Sequence, residues 1–172
     1  MYDPTIFDNL KVALENRIYD LDTIERRIDI LDRADIMDFA ALSRALTVRF
    51  KLAGSSGIPA EVSLFADGND LAGEILETPG SEPACTLTVR FETEVREPAE
   101  ECPEIGRVLN GIWEDGVRLT QTLSWTYPAV PAVITNNIDV RFLTRIGEEN
   151  MGELDGFLDS VLHAMDKLRS LR

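Results

Sequence analysis

Leu46-Thr47-Val48-Arg49-Phe50-Lys51-Leu52 decides the fold class of this chain. Apolar and polar residues alternate, so an extended backbone puts every apolar side chain on one face and threonine, arginine and lysine on the other. That is the signature of an antiparallel sheet with one solvated side. The same pattern runs through Leu87, Val89, Phe91 and Val95, and again through Ile138, Val140 and Phe142. Val62 and Leu64 mark a partner strand across the turn Gly54-Ser55-Ser56-Gly57. Val117, Leu119, Gln121, Leu123, Trp125 and Tyr127 alternate with polar residues until Pro128 and Pro131. Ile28 and Ile30 suggest a short strand near 26–31, closed by a turn at Asp32-Arg33-Ala34-Asp35. Asn136-Asn137 reads as a second turn.

The tripeptide Val-Arg-Phe occurs three times, at 48–50, 89–91 and 140–142. The unequal spacing argues for similar strands meeting one packing requirement rather than for a tandem array.

Helical spacing appears between these strands. Asp3-Pro4 can start a helix over 4–15. Leu10, Val12 and Leu14 also alternate like a strand, and Ile18 and Tyr19 could begin a second one after Asn16-Arg17, so residues 16–22 stay open. Asp67-Gly68-Asn69-Asp70 fails the calcium-loop template and reads instead as the cap of a short helix, 70–77. A helix beginning near Cys102-Pro103 carries Ile105, Val108, Leu109, Ile112 and Trp113 on one face and ends at Asp115-Gly116. Over 151–171, Leu154, Phe157, Leu158, Val161, Leu162, Met165 and Leu168 form a continuous apolar stripe. The expected fold is α+β, a single domain over 1–172. It has a mostly antiparallel or mixed sheet of about five to seven strands, helices packed on one face, and a long C-terminal amphipathic helix.

Composition bounds the partners. Thirty-one acids against 17 bases leave a net charge of −14. The acids run along the whole chain, and such a field repels phosphate backbones and anionic lipid, so neither nucleic acid nor membrane is an expected partner. Only Lys11, Lys51 and Lys167 are lysines; the remaining bases are arginines, which GC-rich coding alone can produce. Cys85 and Cys102 form neither a disulfide framework nor a zinc site. The start, Met1-Tyr2-Asp3-Pro4, lacks the basic and apolar regions of a signal peptide, and no apolar run reaches membrane-spanning length. A soluble, cytoplasmic protein is expected.

Four groups could carry chemistry. Asp159 and His163 share a helix face, but no nucleophile lies within helical reach, and a solvated pair is the plainer account. Asp29, Asp32, Asp35 and Asp38 could ligate a hard cation only if they converged, and their spacing splays them. No metal or cofactor is expected. Arg49, Arg90 and Arg141 share one phase of their strands. In adjacent strands they would form a positive strip able to hold an anionic ligand or an acidic partner segment. Cross-strand pairing with Glu92, Glu94 or Asp139 is the ordinary alternative. Trp113, Trp125 and Tyr127 fall on the apolar phase, which points to core packing.

No phosphate-binding loop, dinucleotide fingerprint or nucleophile elbow is present. The sequence therefore leans away from an enzyme and toward a non-catalytic binding or protein-interaction protein. Its partner could be another protein or a second copy of itself. The small size, acidity and terminal helix are similar to secretion-chaperone-like folds, a likeness of fold and charge that implies dimerisation. The alternative is a small-molecule binder or enzyme, with arginines and carboxylates around an anion in a pocket between sheet and helices.

Overall fold

Hydrophobic side chains that alternate in strands must be covered from one side only, and the computed structural model shows that arrangement. It describes residues 3–127 and 133–172. Six antiparallel strands form one sheet in the order β1-β2-β3-β4-β6-β5: β1 (Ile28–Asp38), β2 (Ser43–Leu52), β3 (Ala60–Ala66), β4 (Thr86–Val95), β5 (Val117–Ser124) and β6 (Ile134–Phe142). The helices are α1 (Ile6–Thr23), α2 (Gly68–Ile75), α3 (Pro98–Trp113) and α4 (Leu154–Ser170). The α+β class, the antiparallel sheet and the long final helix agree with the sequence pattern.

The buried residues of β2, β3, β4 and β6 meet α1, α3 and α4 in one contiguous core. Phe50, Phe91, Leu64, Val89, Ile138 and Val140 are wholly inaccessible. Each Val-Arg-Phe unit turns its valine inward and its arginine to the other face. Trp113 joins α3 to α4 and the sheet: its ring packs against Phe91 and Phe142, and its Nε1–H donates to Ser160 Oγ at 2.9 Å. That ring is half-buried, as its phase requires.

Several local expectations are corrected. The first helix runs unbroken to Thr23, and Thr5 rather than Asp3 caps it, in a capping box with Asp8. Val12 is exposed between buried Leu10 and Leu14, which decides for helix over strand. The third helix starts at Pro98, because the Glu101 carboxylate accepts the backbone N–H groups of Arg96 and Glu97. Those two bonds lower the Glu101 pKa. Asn136 and Asn137 are strand residues, not a turn. The fifth strand stops at Ser124, opposite Thr135 near the start of β6, so Trp125 and Tyr127 lie beyond the sheet and are exposed rather than in the core. Pro128 and Pro131 lie outside the described residues.

The largest correction is β1. Asp32-Arg33-Ala34-Asp35 is strand, and pairing with β2 continues to Asp38. A bulge between Ile30 and Asp32 shifts the register by one residue. Before it, even-numbered residues point toward the helices; after it, Arg33 and Asp35 do. These two meet charges on α1, where Arg33 pairs with Glu15 at 2.6 Å and Asp35 pairs with Lys11 at 2.5 Å and with Arg44 at 3.3 Å.

Candidate functional site

The face of the sheet opposite the helices has no covering layer among the described residues, and its side chains are set by strand register. One row crosses five strands: Asp32, Arg49, Glu61, Arg90 and Asp139. Its charges alternate in sign. Arg90 donates through Nε to Asp139 at 2.7 Å, and this bond raises the arginine pKa. Arg49 and Arg90 stand two strands apart, about 10 Å, with Glu61 between them. They form a mixed ladder rather than a positive strip. Asp139 is the partner that sequence reasoning named; Glu61 is one it did not.

Arg141 lies in the next row, one pleat along, beside Thr47, Ser63 and Thr88. Directly across from it on β5 is Arg118. Like charges set opposite each other in a ladder repel. Neither arginine has an ion pair among the described residues, and both are exposed. The alternation in 117–124 already placed Arg118 on this face; only the strand order shows which arginine it meets.

Arg141 also borders an open concavity of about 560 Å³. Thr47, Ser63, Thr86 and Thr88 line its floor, and Ala45 and Phe65 close one side. Arg145 reaches the rim but is already committed to the Asp70 carboxylate and, at 2.6 Å, to the Ala84 carbonyl. Asp67 is held at the N-terminus of α2, where the Asp70 backbone N–H lowers its pKa. The uncommitted cations here are therefore Arg141 and Arg118. Across the concavity, on β1, β2 and β3, runs an apolar row, Ile36, Ala45 and Phe65, whose nearest member, Phe65, stands two strands from Arg141; Ile36 is 57% and Phe65 40% exposed.

The other candidates fare differently. Asp29, Asp32, Asp35 and Asp38 do not converge, since the bulge sends Asp35 to the helix side. Among the described residues no group of three potential ligands is placed to hold a metal ion. Asp159 takes a 3.5 Å hydrogen bond from Arg27 instead of orienting His163. Burial pushes the Cys85 thiol up to about 12, far from a reactive thiolate. A second, apolar cavity of about 180 Å³ lies between α3 and α4. Glu94, Glu100, Glu101 and Glu104 line it, which disfavours an anion there.

No protein-family model matches this sequence, and no curated protein or solved structure matches it significantly. Among the described residues, no helix is long and apolar enough to cross a membrane.

Proposed function

We propose that this is a non-catalytic binding protein whose open sheet face holds an acidic, partly apolar segment of a partner protein. The observation that carries this reading is the Arg118–Arg141 pair: two exposed arginines opposed in register, with no ion pair among the described residues, on a protein of net charge −14. Their mutual repulsion is relieved when a carboxylate bridges them, and each guanidinium can offer a bidentate fork. Across the concavity, about 10 Å or more from Arg141, the Ile36–Ala45–Phe65 row supplies a place for an apolar side chain, and the serine and threonine hydroxyls supply donors between the two. The diffuse negative field of the rest of the surface repels acidic segments, which favours attraction at a local cationic pair such as this one.

A labelled peptide of alternating glutamate and phenylalanine, followed by fluorescence anisotropy, tests this. Binding should weaken roughly tenfold or more for each of Arg118→Gln and Arg141→Gln, because a hydrogen bond to a charged group contributes about 1.5–3 kcal/mol. Added salt should weaken it further. Equal affinity in wild type and the double variant sinks the proposal.

The hydroxyl-lined concavity favours a second reading, a small carboxylate or phosphate bound beside Arg141. Inorganic phosphate or a short dicarboxylate that raises the melting temperature, where the peptide does not, would select it.

A further inference from the structure

We propose that two copies of this chain pair through their β1 strands, antiparallel about a two-fold axis at Ala34, to form one continuous twelve-stranded sheet. β1 is an outer strand of the sheet, with β2 on one side only. It is also long, at 11 residues, and its far half is exposed on both faces. Leu31, Ile36 and Met37 are 46%, 57% and 42% exposed. Asp35 is exposed as a residue although its side chain is only 22% accessible, so much of what it shows is backbone. The backbone N–H of Arg33 bonds to the Asp32 carboxylate at 2.8 Å, as suits a donor turned to the outer side.

Charged residues on an edge strand ordinarily block such pairing. Here Arg33 and Asp35 are already neutralised from within by Glu15, Lys11 and Arg44. Their order also makes β1 complementary to itself. Antiparallel pairing keeps like faces together only when the paired residue numbers have an even sum. Centred on Ala34, Arg33 faces Asp35 of the second copy, and Asp35 faces its Arg33. The same register sets Asp32 against Ile36 and carries Met37 toward Leu31. Shifting the axis to residue 33 opposes arginine to arginine. Shifting it to residue 35 opposes Asp35 to Asp35 and Asp32 to Asp38. The outward N–H of Arg33 also fits the Ala34 register, since residues 33 and 35 would then exchange the two hydrogen bonds. Ala34 falls at a non-hydrogen-bonded position, where opposed Cα atoms approach to about 4.5 Å. The opposite edge lacks these features: β5 has eight residues, and those it exposes are Arg118, Thr120, Thr122 and Ser124.

Light scattering on the full chain should give twice the 19.2 kDa of one copy. Ala34→Cys should form a reducible covalent dimer under mild oxidation, while Ile36→Cys alone and the wild type should not. Mixing Ile36→Cys with Asp32→Cys should restore the cross-link. Asp35→Arg should shift the protein to monomer, and adding Arg33→Asp should return the dimer, with circular dichroism confirming that each variant is folded. A wild-type monomer at about 100 μM, weaker than typical specific pairing, overturns the proposal. Cross-linking of Ile36→Cys as efficient as that of Ala34→Cys overturns the register. The cross-links decide the matter even if the charge variants fail to fold.

Discussion

Arg90 and Phe91 are neighbours in β4, yet they belong to two different environments. Phe91 is inaccessible and stacks on Trp113 beneath the helices; Arg90 is half in water, tied to Asp139 across the open face. The same alternation governs β2 and β3. One face of the sheet therefore concentrates the burial that holds the fold together. The other carries charges and hydroxyls whose arrangement costs little to change, which leaves it free for recognition. Substitutions on the two faces should differ in size and, in one case, in sign.

The largest effect belongs to the helix side. Phe91→Ala removes a ring at the junction of β4 with Trp113 and leaves a cavity. The cost should be about 3–5 kcal/mol, read from denaturant unfolding. A loss under about 1 kcal/mol would mean that the helices do not press on this face as described.

An intermediate effect is expected where a polar residue intrudes on the buried face. Asn136 is inaccessible; its Nδ2 donates to Gln121 Oε1 at 2.8 Å, and Gln121 in turn donates to the Cys102 carbonyl at 2.8 Å. Asn136→Ala leaves the half-buried Gln121 oxygen without this donor but also removes Asn136 Oδ1, which is buried with no hydrogen-bond partner among the described residues, so the cost should be about 1–2 kcal/mol. Replacing Asn136 and Gln121 together by leucine should recover much of that loss, because no buried donor depends on Gln121 Oε1 once both amides are gone. A double variant no better than Asn136→Ala would show that this cluster is a packing site rather than a hydrogen-bonded one.

These contrasts also explain what was legible in the sequence. Strands β2 and β4 and helix α4 each carry an uninterrupted apolar period, because water filters one face of each. Past its bulge β1 carries no such period: its inward residues, Arg33 and Asp35, meet Glu15, Lys11 and Arg44 instead of a core. Hydropathy cannot distinguish such a strand from a turn. Asn136 misled for a related reason, since a buried amide whose Nδ2 is bonded to Gln121 looks like a surface one until that partner is known. The open face was readable only in phase. Arg49, Arg90 and Arg141 do point the same way, but adjacency depends on strand order, and β6 inserts between β4 and β5. That insertion places Arg141 opposite Arg118 and separates the ladder of Arg49 and Arg90 from the uncommitted pair.

The smallest effects lie on the open face, and their signs separate a structural arginine from a binding one. Arg90→Gln loses an exposed ion pair with Asp139 and should destabilise by about 0.2–1 kcal/mol, less at high salt. Arg118→Gln should do the reverse. It removes one of two like charges held in register and leaves Arg141 without its repelling neighbour, so stability should rise by a few tenths of a kcal/mol, roughly to 1. A residue that lowers the stability of the free protein and has no ion-pair partner among the described residues makes physical sense if an external anion completes it. Thermal unfolding at low ionic strength measures both variants side by side. Should Arg118→Gln destabilise as much as Arg90→Gln, Arg118 would be serving the fold, and its opposition to Arg141 would no longer mark a binding site.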